Sequence, residues 1–177
     1  MAGVTEDKAA DIPEQNMDLK EFFLKQKQAA HEASLAVFGK IPPEHVSWRP
    51  QAGMLSLGEI ARHTWMSEEG VRRLALENDW SYYERRIPLG LLAILGEVKS
   101  VEEELAQMER VHRGTMSAVA GFPLERWEEE RVNPKFNVRR KVAVMLFGIN
   151  EHHVHHRAQV GGFLHMLTGQ RASHYTL

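Results

Sequence analysis

Residues 138–167 read VRRKVAVMLFGINEHHVHHRAQVGGFLHML, and the spacing inside this stretch decides the fold. Val138, Val142, Met145, Ile149, His152 and His156 follow one another in steps alternating between four and three. Phe163 and Leu167 continue the same face. That alternation is the signature of a helix turned toward the core of a bundle. It predicts one long helix from Val138 to Leu167, stopped near Gly169.

Working back along the chain, the third helix is predicted from Ser100, with Glu103 as its capping-box partner. Leu105, Met108, Val111, Thr115 and Val119 form its stripe, and Gly121 and Pro123 end it. The second helix opens on Ser56-Leu57-Gly58-Glu59, a capping box in which the serine hydroxyl and the glutamate carboxylate satisfy free backbone N–H groups. The first spans Asp18 to Phe38 and is stopped by Ile41-Pro42-Pro43, because proline cannot continue the ladder. Glu44 to Met54 and Arg131 to Asn137 read as loops. Trp80 to Gly96 reads as a loop carrying a short apolar helix that lids one end. Four helical segments without a strand give an all-α fold, a four-helix bundle. Residues 1–15 are polar and read as a flexible lead-in, and residues 16–177 as a single domain.

Composition narrows the function. Apolar residues make up 43 % of the 177, enough for a sizeable core. A net charge of −2 and the absence of a long basic cluster argue against nucleic-acid partners. There is no cysteine, which leaves His, Asp and Glu as metal ligands. No apolar run approaches the ~20 residues of a spanning helix. The N-terminus lacks the basic and apolar regions of a signal peptide. These features predict a cytoplasmic protein with no membrane partner.

Ten histidines are many for this length, and four of them fall within Glu151–Arg157. His152 and His156 lie four apart on the inward stripe, so their Cβ atoms are expected ~6 Å apart on one face. Two buried neutral imidazoles need partners, and two charged ones repel. A divalent metal resolves both problems by taking one lone pair from each. His63, near the apolar face of the second helix, is the best candidate for a third ligand, although spacing alone does not force it there. Three imidazoles and an open position make a catalytic type of centre. Spacing by itself is equally compatible with a core or solvated histidine pair. No His-Glu-x-x-His occurs, which argues against a metalloprotease. His153 and His155 flank the stripe and are expected to be exposed or at an interface. His31, His45, His112, His165 and His174 are expected to be surface or structural residues.

Two motifs carry a family resemblance. Trp48-Arg49-Pro50 with Met54-Leu55-Ser56-Leu57-Gly58-Glu59-Ile60-Ala61-Arg62-His63 resembles the second-helix entry of the DinB-like proteins. His152-His153-Val154-His155-His156-Arg157-Ala158-Gln159 resembles that family's His-x-x-His-His-Arg-x-Gln segment, and Gly169 to Tyr175 is similar to its tail. The resemblance covers about residues 17–175. It implies an up-up-down-down four-helix bundle, a divalent metal (nickel or zinc) on His63, His152 and His156, and a homodimer. Some members of that family use the metal to activate a low-molecular-weight thiol such as bacillithiol, mycothiol or glutathione for transfer or isomerisation. One enzyme branch has Glu at a position where this chain keeps a ligand His.

Three functions share these residues. One is a metal-dependent thiol transferase acting on a small electrophile. In it Glu59 orients or deprotonates and Arg157 pairs with a substrate carboxylate, unless they serve only a capping box and a surface salt bridge. Another is hydrolysis by metal-bound water. The third is a non-catalytic, stress-related metal-binding protein, in which an Asp or Glu from the third helix closes the fourth position.

Overall fold

The structure, a computed structural model, describes residues 18–169. The lead-in expected over residues 1–15, and the tail beyond Gly169 with His174, lie outside the described residues.

Four long helices form at the expected places. Helix α1 (Leu19–Phe38) is capped by Asp18, whose side chain accepts from the Glu21 amide at 2.8 Å. Such a cap contributes about 1 kcal/mol. Helix α2 (Leu57–Glu77) has the complete capping box: Ser56 Oγ accepts from the Glu59 amide at 3.2 Å, and the Ser56 amide donates to Glu59 Oε2 at 2.7 Å. Glu59 is therefore occupied by capping, with Arg49 as its second partner.

The segment after α2 is more helical than the loop expected from sequence. It holds helix α3 (Ser81–Leu89) and the short α4 (Leu91–Leu95). Helix α5 (Val101–Gly121) follows, with only half of its expected box: Ser100 accepts from the Glu103 amide, but its hydroxyl donates to Glu102.

The last helix starts later than predicted. Helix α6 runs Val142–Thr168, and Val138 lies outside it. Val138–Lys141 is instead strand β2, paired antiparallel with β1 (Glu130–Asn133) in the register Glu130↔Lys141 and Asn133↔Val138. Asn137, in the left-handed region at φ 51°, makes the turn between them. The expectation of no strand was therefore wrong here. Val138 happens to fall in phase with the α6 stripe, but its backbone is committed to the hairpin ladder.

The core has two apolar ends with a polar waist between them. One end holds Val37 and Phe38 of α1, Leu57 and Ile60 of α2, Met108 of α5 and Leu164 of α6. The other holds Phe23, Leu74, Val119, Trp127, Val142 and Leu146. Each helix passes from one end to the other, and this fixes the senses. Helices α1 and α6 run one way, α2 and α5 the other, so the order is up-down-down-up rather than the up-up-down-down implied by the resemblance. The reason lies in the connections. The α1–α2 link stays at one end, where Gly58 N donates to Val46 O at 2.8 Å. A Cβ on Gly58 would lie only 2.6 Å from Val46 Cγ2, so glycine permits this approach. The α2–α5 link carries α3 and α4 back along the bundle, and Arg62 fastens its end by donating to the carbonyls of Leu95 and Glu97. Among the described residues no helix is long and apolar enough to cross a membrane.

Candidate metal centre

The waist contains two groups of polar side chains. The first is the trio named from the sequence. His63 enters from the second turn of α2, and His152 and His156 from successive turns of α6. His152 Nε2 lies 3.1 Å from His63 Nε2 and 3.0 Å from His156 Nε2. The ring planes stand at 78–81° to one another, so the three nitrogens face a common point rather than stacking.

The far side of two rings is tied down. His156 Nδ1 is 2.9 Å from Gln159 Oε1, an acceptor, and so carries the proton. His63 Nδ1 is 3.1 Å from Ser67 Oγ, which is itself 3.1 Å from the Tyr82 hydroxyl on α3. Holding the proton at Nδ1 leaves the Nε2 lone pair facing the other rings.

Burial keeps the trio neutral. Desolvation, reinforced by His156 and then Arg86, pushes His63 down to about 3. Desolvation with His156 and His63 pushes His152 down to about 2, and burial lowers His156 as well. Three neutral imidazoles with facing lone pairs repel unless a cation sits among them. The ligand atoms all lie within 4.8 Å of one another, and among the described residues no carboxylate joins the set. These three histidines can hold a metal ion and leave a coordination position open. Glu104 of α5, the sort of residue that would have closed it, is bound by Arg62 and by the Trp65 indole at 2.7 Å.

The second group corrects the expectation for His153 and gathers two further histidines around it. His153, expected to be exposed or at an interface, is 1 % exposed. Its Nε2 is 2.6 Å from Glu68 Oε2 and its Nδ1 is 3.2 Å from Ser34 Oγ. Lys27 Nζ, wholly buried, lies 3.0 Å from the same Glu68 oxygen. His31 and His112, expected as surface or structural residues, take the structural role: they are buried and stacked with ring centroids 3.8 Å apart. Desolvation, then the Lys27 charge, pushes both down to about 4. Despite the cost of burial, the His153 hydrogen bond and Lys27 hold Glu68 well below the usual carboxylate range. A buried polar residue every third or fourth position of α1 (Lys27, His31, Ser34) was the available signal. His155 and His165 are exposed and His45 half-buried, in line with the sequence reading.

Beside His152 lies a cavity of about 320 Å³ running along the α2–α6 groove under α3. Its walls include Ser67, Trp80, Tyr83, Met145, Ile149 and His152. Arg157, half-buried on α6, is not among its lining residues.

The comparisons agree with this architecture. A crystal structure of a DinB-like protein from Bacillus subtilis superposes with a TM-score of 0.68 at 14 % identity, covering 87 % of this chain and 96 % of that one. A conserved protein from Enterococcus faecalis gives 0.58 at 14 % identity, covering 87 % and 99 %. At that identity the likeness speaks for the fold alone. No curated protein matches the sequence. The sequence profile of the DinB superfamily matches residues 26–160, more than half of the chain and the span that contains all three facing histidines. The chain belongs to the DinB superfamily.

Proposed function

We propose that this protein is a metal-dependent enzyme that activates a low-molecular-weight thiol and transfers it to a small electrophile, with nickel or zinc on His63, His152 and His156. The observation that carries the reading is the convergence of three neutral Nε2 atoms with no carboxylate among them, next to a cavity. A divalent metal bound there lowers the pKa of a thiol that reaches it and favours the thiolate.

The chain's own residues prepare the rest. Gln159 and Ser67 fix the rings of His156 and His63 with Nε2 inward. The apolar walls of the cavity exclude water from the approaching sulfur. In the transfer, the thiol proton leaves to solvent, sulfur bonds to the electrophilic carbon, and the leaving group departs with its electron pair. The absence of any cysteine suits such chemistry, since the chain offers the electrophile no thiol of its own. Among the described residues no carboxylate joins the three imidazoles, which argues against a purely structural metal.

The test is thiol consumption with monochlorobimane, using glutathione, bacillithiol and mycothiol in turn. Consumption by the metal-loaded protein, lost with a chelator and in His156→Ala, supports the reading. Absence of metal dependence with every one of these thiols overturns it. Metal-dependent turnover of generic esters without thiol consumption would move the assignment to hydrolysis.

A further inference from the structure

The cavity has a feature the metal does not explain. The polar side chains of its lining are His152, Ser67, Glu68, Trp80, Tyr83 and two arginines, Arg86 of α3 and Arg140 of β2. Glu68 is already committed to Lys27 and His153. Among the described residues neither guanidinium has a carboxylate partner or a hydrogen bond, although ion pairs are frequent elsewhere on the chain. Arg139, the neighbour of Arg140 on the same strand, pairs with Glu130, and Arg126 and Arg131 both pair with Glu129. Tyr83, Arg86 and Arg140 line the same cavity, and both guanidiniums act electrostatically on the Tyr83 phenol.

The backbone of α6 also borders the cavity. Gly148 lies in its lining one turn before His152, and a Cβ added there would meet nothing within 4 Å. Glycine here leaves that turn of the floor without a side chain. From Val144 to His152 the floor extends about 12 Å along α6. Cationic groups without partners at the rim of an apolar slot are the arrangement that recognises an organic anion.

We propose that this cavity binds a small carboxylate-bearing molecule, its apolar body between Trp80 and the α6 side chains Met145 and Ile149, and its carboxylate held by Arg86 and Arg140 beside Tyr83. The far end of the molecule reaches His152. Assigning that end to the reacting atom rests on the function proposed above; the anion pocket itself does not.

The experiment is calorimetric titration of the full chain with 3-phenylpropionate and its neutral analogue 3-phenylpropionamide, in metal-loaded and chelator-treated protein. The acid is expected to bind about tenfold or more tighter than the amide in both forms. Arg86→Gln and Arg140→Gln should each erode that preference while leaving the amide unchanged. Gly148→Leu, which fills the slot, should weaken both ligands, and circular dichroism checks that the variants fold. Equal binding of acid and amide overturns the proposal, as does a preference that survives both arginine substitutions. A preference seen only with metal, and indifferent to the arginines, also overturns it, because the carboxylate is then a metal ligand; the metal-centre reading would stand. Two sources of the carboxylate are separated by adding glutathione. Competition with 3-phenylpropionate assigns the pocket to the thiol, and simultaneous binding assigns it to the acceptor. Loss of metal from His156→Ala with acid preference intact would support the pocket independently of the reaction.

Discussion

The His63–His152–His156 trio and the Lys27–Glu68–His153 cluster occupy the same waist of the bundle and draw on adjacent residues of α6, yet they solve burial in opposite ways. In the cluster one carboxylate gathers a lysine and a histidine, so charge is balanced by the protein itself. In the trio no carboxylate takes part, and the lone pairs face one another. A self-neutralised group holds a fold together. A group that leaves its lone pairs turned inward is completed only by something from outside. The identity of the residues does not separate the two, since His152 and His153 are neighbours; the partners do.

That contrast can be broken at several points. The largest effect is expected from His156→Ala. Elemental analysis should find metal falling from about one per chain, the stoichiometry of a single three-histidine site, to almost none. Full retention would remove the distinction between the groups. Glu68→Gln should leave the metal in place while destabilising the fold by about 3–5 kcal/mol, because Lys27 is left buried without its counter-charge. Denaturant unfolding checks this, and a change under about 1 kcal/mol would mean the cluster is not self-neutralised. His153→Phe should cost roughly 1–3 kcal/mol through the unpaired Glu68, again with metal content unchanged. Co-loss of metal would merge the two groups into one.

Ser67→Ala sharpens the picture further. It frees the His63 ring without touching a ligand atom, and metal affinity measured against a competing chelator should drop by about 10–100-fold. A separate effect is in pH. His31 and His112 are held at about 4, below their ordinary 6.5, so the unfolded chain binds more protons between those values. Stability is therefore complete above pH 6.5 and falls as pH drops toward 4. Glu68, depressed in the fold, adds its own loss below the ordinary carboxylate value of 4.5. Thermal unfolding from pH 8 to 4 should show this decline, shallower in His112→Gln; an unchanged slope would remove His112 from the account.

The sequence made some of this legible. Alternating steps of three and four picked out His152 and His156, and the Ser56–Glu59 box located the start of α2 to the residue. His63 needed the family resemblance, because spacing within one helix says nothing about which helix it meets. His153 was misread for a related reason. Helix α6 packs against both α1 and α2, so its buried face is wider than one stripe, and the neighbouring residue points into a second interface. The hairpin was missed because Val138 fits the helical phase, although Asn133-Pro134 and Asn137 were the turn signals that set it apart. The helix senses depended on where the connections cross, which no periodicity encodes.

The hydrogen-bond line from Tyr82 through Ser67 to His63 has a spectroscopic consequence. It ties the helix that roofs the cavity to a ring nitrogen whose opposite face is the donor atom. With cobalt(II) substituted at the trio, a shift of α3 on ligand entry would alter the ligand field and so the colour of the protein. Occupancy of the cavity would then be followed by eye.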